Sequence, residues 1–190
     1  DIEWQALTQA FKGCSNLTIT NPSIDVPNLS NVTNASEAFR DATLFNGDIT
    51  AWDVSTITNM LRLFNGAENF NQDIGNWDVS NVVTMTRMFE SARAFNQDIG
   101  SWNISNVFSL RNTFRAARSF NQDLGDWDLH NTVNMTDMLN NSGMDCINYS
   151  LTLIGWSDNP SSPNNRNLGA LGKEFGKLLL EKGIESVVFD

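Results

Sequence analysis

The sequence predicts an α/β solenoid: right-handed coils stacked into an array, a parallel sheet on one face, short helices on the other, and a cap at each end. Two observations predict it. The phrase FNQDIGNWDVSNV, beginning at Phe70, returns as FNQDIGSWNISNV at Phe95 and FNQDLGDWDLHNT at Phe120, after an earlier version, FNGDITAWDVSTI, at Phe45. Between these phrases lies a segment whose apolar residues follow a helical spacing. A fixed period of this kind means that each repeat is one supersecondary unit stacked on its neighbours.

The period is 25 residues and is strict: Trp52, Trp77, Trp102 and Trp127 share one position, and Phe39, Phe64, Phe89, Phe114 and Leu139 share another half a repeat away. The helical half is read from Asn34, Asn59, Thr84, Ser109 and Asn134, residue types that cap helix N-termini with a side-chain oxygen. After Thr84, the residues Met85, Met88, Phe89 and Ala92 stand at i, i+3, i+4 and i+7, one apolar stripe on a helix of about two turns. Glu37 and Asp137, three residues after their caps, suit a capping box.

The other half reads as a short strand. Alternation in Trp77-Asp78-Val79 turns Trp77 and Val79 inward and Asp78 outward. Gly75, Gly100 and Gly125 precede it, and Ser80-Asn81 and Ser105-Asn106 follow, as turn signals. A closed coil with one strand and one short helix gives a leucine-rich-repeat-like arc, whose right hand follows the rule for parallel crossovers. The tryptophans read as a buried ladder, stacked coil on coil.

Three regions follow. Residues 1–30 form an N-terminal cap and first coil, with Trp4, Leu7 and Phe11 as the stripe of a closing helix. Residues 31–142 are the array. Residues 143–190 are a C-terminal cap, in which 156–166 reads as a loop, 171–182 as a helix stopped by Gly183, and 184–189 as a last strand. Caps are needed because terminal coils otherwise expose core and unpaired backbone.

The wording resembles a known family. FNQDIxxWDVSNV followed by MxxMF is similar to the 25-residue repeat of bacterial surface proteins, related to BspA-type leucine-rich repeats. Ala10-Phe11-Lys12-Gly13-Cys14-Ser15-Asn16-Leu17 resembles the AFxxCxxL phrase of the BspA-type repeat itself. Asn148-Tyr149-Ser150-Leu151-Thr152-Leu153-Ile154-Gly155-Trp156 resembles the NYDxxLIGW segment that closes such arrays. The resemblance implies a cell-surface or secreted binding protein. Asn103 and His130 depart from its pattern, standing where Asp and Ser are expected.

Composition narrows the partners. The formal net charge of −10 argues against nucleic acid, which needs a basic footprint. No run of 18 apolar residues is long enough to span a membrane. The chain opens on Asp1-Ile2-Glu3-Trp4 without a basic-then-apolar leader, so it reads as the mature or excised part of a secreted or surface protein. Cys14 and Cys146 lie at opposite ends of the array, more than ~20 Å apart at sheet spacing, and read as free thiols. Cys14 falls at the small-residue position of Ala42, Ala67 and Ala92, a core position.

Stacking sets two acidic files. Asp25, Asp53, Asp78, Asn103 and Asp128 line the outer strand face, where a mid-strand carboxylate has no turn to cap. They are the candidate ligand-binding strip. Asp48, Asp73, Asp98 and Asp123 occupy the preceding turn, where a local role as turn caps is favoured and a calcium ion bridging coils is the alternative. The arginines at 40, 62, 87, 93, 111, 115 and 118 avoid the strand phrase, so the array should be acidic on one face and more basic on the other.

Enzyme activity is not expected, because files repeated in every coil are architecture and an active site is a singular point. His130 is the only histidine, so no histidine-based metal site or triad can be assembled. Three functions remain. The first is a monomeric adhesion-type module binding an extracellular protein or glycan along the strand face, with no cofactor unless calcium. The second is a spacer or stalk. The third is a hydrolase with its site near Trp156.

Overall fold

The computed structural model of the protein describes residues 4–19 and 26–159. Coils of the expected length stack as the repeat requires, but they are built from turns, and neither a sheet nor a ring of helices exists among the described residues. Asn34, Asn59, Thr84, Ser109 and Asn134, expected as helix caps, instead pair as single-residue parallel bridges from one coil to the next. The expected sheet-and-helix solenoid is therefore wrong.

The expected helices are runs of tight turns at 7–14, 35–42, 60–67, 85–92, 110–117 and 135–142. Within one run, the N–H groups of Met88, Glu90 and Ala92 donate to the carbonyls of Met85, Arg87 and Phe89, three residues back. The alternate N–H groups, from Met85, Arg87, Phe89 and Ser91, donate to Ser109, Arg111, Thr113 and Arg115 of the next coil at 2.8–2.9 Å. An α-helix directs every interior N–H along its own axis and could not do this.

Left-handed residues make the alternation. Arg87 has φ 59° and Ser91 φ 62°, and Glu37, Asp41, Arg62, Asn112, Ala116, Asp137 and Asn141 take the same conformation at matching places. A left-handed non-glycine residue costs about 1–2 kcal/mol. Each such residue from Glu37 to Ala116 places its own N–H on a carbonyl of the following coil, so the cost is offset by a bond that links the stack. The stripe Met85, Met88, Phe89 and Ala92 is fully buried as expected, because successive four-residue turns also return the chain to one side every three or four residues.

The interior is an aromatic double column. Phe39, Phe64, Phe89 and Phe114 stack with centroids 5.4–5.6 Å apart, and Phe45, Phe70, Phe95 and Phe120 at 5.9–6.1 Å. Within a coil the two columns touch, as Phe89 and Phe95 do at 4.0 Å. Trp77, Trp102 and Trp127 are buried as expected, and Trp52 is half-buried. They do not stack on one another. Each lies against a phenylalanine (Trp102 on Phe89 at 6.5 Å), and Trp77, Trp102 and Trp127 each donate Nε1–H to a backbone carbonyl 28 residues back, Trp102 to Ile74 at 3.2 Å. An indole must satisfy its N–H when buried, and a carbonyl of the adjacent coil fixes its position.

Asparagines sew the coils together. Asn71, Asn96 and Asn121 donate their backbone N–H groups to the side-chain oxygens of Asn46, Asn71 and Asn96 respectively. Gln72, Gln97 and Gln122 reach the same asparagines.

This ladder explains the C-terminal cap. Helix α1, Cys146–Asp158, begins at Asp145, whose side chain accepts from Ile147 and Asn148 N–H. Asp145 N–H donates to Asn121 Oδ1, and Asn148 Nδ2 donates to Asn121, so the first turn of α1 stands in for the Asn and Gln of a further coil. Trp156 Nε1 donates to Leu124 O at 2.7 Å, repeating the tryptophan bond of the array. Tyr149, Thr152, Leu153 and Trp156 form the buried stripe at i, i+3, i+4 and i+7. Trp156 thus belongs to a helix and not to a loop; the predicted helix at 171–182 and strand at 184–189 lie outside the described residues.

The N-terminal end also differs from expectation. Leu7, Gln9, Phe11 and Gly13 donate to Asn34, Ser36, Ala38 and Arg40 in the pattern of any other coil. The segment expected as a capping helix is therefore another turn run. Cys14 does occupy the alanine register, with its N–H on Phe11 O as Ala67 has on Phe64 O, yet it is exposed and not core. Cys146 is exposed as well, and both thiols are free.

Candidate functional site

The strip expected on a strand is a row of Asx turns. Asp53, Asp78 and Asn103 each accept, through Oδ1, the backbone N–H of the serine two residues on, at 3.0–3.2 Å. The phrase Trp-Asp-Val therefore enters a turn, closed by Val82 N–H on Val79 O, and the mid-strand assignment of these carboxylates fails. Donation from the Ser55 hydroxyl and backbone lowers the pKa of Asp53 against the opposing repulsion of Asp78, and Ser80 lowers that of Asp78 in the same way. All three side chains point outward and are exposed. Asp25 lies outside the described residues.

The fifth member breaks the row. In its coil the turn is displaced by one residue: Val133 N–H donates to His130 O, where the preceding coil has Val107 on Ile104. His130 Nδ1 now takes the Asx role, lying 3.2 Å from Thr132 N. Asp128 is released from it and accepts from Asn159 Nδ2 at 3.0 Å. The unexpected His130 is thus the side chain that lets the turn slip.

The second file behaves as the local reading expects. Asp48, Asp73, Asp98 and Asp123 accept N–H from Thr50, Gly75, Gly100 and Gly125 at 2.9–3.1 Å. For Asp48 the backbone and hydroxyl of Thr50 together lower the pKa. Among the described residues no three His, Cys, Asp or Glu side chains group so as to hold a metal ion, and these four are spread one to a coil.

The turn-run face is not simply basic, as its arginines suggest. Glu37 takes Lys12 Nζ at 2.9 Å and Arg40 and Arg62 at 3.2 Å, tying three successive runs together. Glu90 does the same with Arg87 and Arg115, and accepts from Asn65. These two carboxylates turn a face rich in arginine into a network of paired charges.

Glu37 also sets a pH dependence. The Lys12 ammonium, with Arg40 and Arg62, lowers its pKa from 4.5 to about 2, against the upward push of burial. A depressed folded pKa gives stability that is complete above the unfolded value and is lost as pH falls through the folded one. Stability should therefore decline between pH 4.5 and about 2 partly through this group. In Glu37→Gln, thermal unfolding followed across that range should show a shallower decline than the parent; an identical slope would remove Glu37 as the cause.

One exposed cluster stands apart from every residue that the repeat pattern singles out. Phe108 is 50% exposed and Val83 41% exposed, in a column where Thr33 and Thr58 precede them. Backbone bonds join this column: Thr58 N–H to Thr33 O, Val83 to Thr58 and Phe108 to Val83. The His130 ring lies 4.3 Å from that of Phe108, tilted by 54°. The signal that could have found it is Phe108 itself, a large apolar residue at a register held elsewhere by threonine and valine.

Set against known proteins, the chain matches the family described as Mycoplasma protein of unknown function, DUF285, over residues 5–109 and again over 48–151. Together these matches take in most of the chain, and it belongs to that bacterial repeat family. No curated protein and no solved structure matches it. Among the described residues, no helix is long and apolar enough to cross a membrane.

Proposed function

We propose that the protein is a non-catalytic, adhesion-type module of the cell surface or the secreted fraction, binding an extracellular protein or glycan along the face that carries Asp53, Asp78, Asn103 and Asp128. The observation that carries this reading is that each of these side chains is outward and exposed while repeating in register from coil to coil. In Asp53 and Asp78 Oδ1 closes the turn while the side chain stays exposed to a partner. A surface copied coil after coil suits an extended or repeating partner, since weak contacts on one rigid body sum by multivalency. The kinship with bacterial surface repeats points the same way.

A spacer is the second reading, favoured by the use of both acidic files as turn caps. The Asx geometry supplies a clean test, because Asn103 already makes the same turn as its aspartate neighbours. Changing Asp53, Asp78 and Asp128 together to Asn should leave the melting temperature unchanged within about 2 °C while removing three charges. Adhesion of the purified protein to an array of extracellular proteins and glycans should fall at least tenfold. Full adhesion by the triple variant would favour the spacer, and a large drop in melting temperature would assign the carboxylates to architecture alone.

A further inference from the structure

The Asx-turn face has one singular point. Coil after coil it presents carboxylates and small residues, but at Phe108, beside the exposed Val83, it presents a half-exposed aromatic ring. The neutral Asn103 stands five residues before that ring in the same coil, with Asp78 and Asp128 in the coils to either side. Asp78 and Val83 stand on either side of the turn that Val82 N–H closes on Val79 O, and Asn103 and Phe108 on either side of the next. Phe108 N–H donates to Val83 O, which sets the ring's coil against the one that carries Asp78. A partner side chain laid over the ring is therefore within reach of the acidic file. His130, held through Nδ1 at Thr132 in the slipped turn, covers one side of Phe108 at 4.3 Å, and the Phe108 ring stays half-exposed.

We infer that Phe108, backed by His130 and flanked by Asp78 and Asp128, is the anchor point of this face and takes an arginine side chain of a partner protein. The inference rests on reading the Asx-turn face as an interaction surface. Charge complementarity selects the occupant. A planar guanidinium stacks on an aromatic ring and donates to carboxylates at once, whereas an anionic glycan or a phosphate would meet Asp78, Asp128 and a chain of net charge −10. An apolar centre inside a polar rim is also the usual layout of an interface hot spot.

The probe is a nine-residue synthetic peptide with three arginines in a Gly-Ser background, beside the same peptide with citrulline, which keeps the shape and loses the charge. Binding is followed through the ring resonances of Phe108 and His130. The arginine peptide should shift both, and citrulline should abolish the shift. Phe108→Leu, which stays apolar but loses the π face, should weaken binding roughly twofold to thirtyfold, the range of a cation–π contact. Phe108 is exposed enough for this change to leave unfolding unaltered, which circular dichroism would verify. Equal binding of the citrulline peptide, unchanged affinity of Phe108→Leu, or binding of a neutral oligosaccharide at this ring in place of the peptide would each overturn the assignment. The Asp53, Asp78 and Asp128 triple variant separates the two ideas. If it loses adhesion while Phe108→Leu keeps peptide binding, the anchor fails and the acidic face stands. If it keeps adhesion while Phe108→Leu loses the peptide, the ring binds arginine but the acidic face is not the adhesive surface, and the roles of Asp78 and Asp128 fail.

Discussion

Trp102→Ala is expected to destabilise the protein by about 3–5 kcal/mol, the range for a buried aromatic cut to alanine. Trp102 is 3% exposed, its ring rests on Phe89, and its Nε1 donates to Ile74 O. The substitution therefore opens a cavity beside the phenylalanine column and removes one of the two donors to Ile74 O, which keeps only the Trp77 N–H at 3.1 Å. Coils contact only their neighbours, so damage in a central one divides the array into two shorter, weaker stacks. Urea unfolding measures the loss, and Trp52→Ala provides the comparison. Trp52 occupies the same position but is only half-buried, so its removal should cost clearly less. Equal losses at the two positions would show that burial of the indole is not what sets its contribution.

Much of this interior is legible in the amino-acid sequence. The inward sense of Trp77 and Val79, the outward sense of Asp78, and the buried set Met85, Met88, Phe89 and Ala92 all follow from spacing alone, because burial depends on which side a residue faces. The backbone conformation beneath that pattern is not legible. A stripe at i, i+3, i+4 and i+7 fits a helix and a run of four-residue turns equally well. What decides between them is where the N–H groups go, and in a stack that is a question about the next coil. The left-handed positions give uneven warning: Gly13, Gly66, Asp41, Asn112, Asp137 and Asn141 are types that favour the conformation, but Arg62, Arg87, Ser91 and Ala116 hold matching positions without any such signal.

The candidate face is legible in the same mixed way. The files of Asp are visible as files, and the turn caps at Asp48, Asp73, Asp98 and Asp123 follow from their sequence setting. Asp53 and Asp78 do not sit on a strand, because alternation over three residues is too short to specify strand geometry; the Ser two residues on, which completes an Asx turn, is the better guide. Helix α1 has its own local signals: Asp145 caps it, and Tyr149, Thr152, Leu153 and Trp156 spell its stripe. The loss of the 25-residue period after Gly143 masks them, since an array pattern says nothing about the element that ends it.

Gly155→Ala is the second large effect expected. Gly155 faces Gly125 across the junction of α1 with the last coil, and a Cβ there would stand 2.5 Å from Gly125 Cα and O and 2.6 Å from its carbonyl carbon. These are backbone atoms of a stacked coil, so no side chain can rotate away and α1 itself must lift. Lifting it loosens the bonds from Trp156 Nε1 to Leu124 O and from Leu124 N–H to Thr152 Oγ1, which sit on the same seam. Overpacking in a filled core costs roughly 1–3 kcal/mol, and breaking buried hydrogen bonds adds to it, so a loss of about 3 kcal/mol or more is expected. The loss should show at the cap before it shows elsewhere. Hydrogen exchange should quicken first at Leu124 and Gly125, while the N–H groups that bind Asn59 and Thr84 deeper in the stack keep their protection. The helix interior disfavours glycine relative to alanine by about 1 kcal/mol, so in an isolated α1 peptide the same substitution should raise helicity. If Gly155→Ala stabilised the whole protein as well, the close seating of α1 on Gly125 would be wrong, and the helix would not be the element that closes the array.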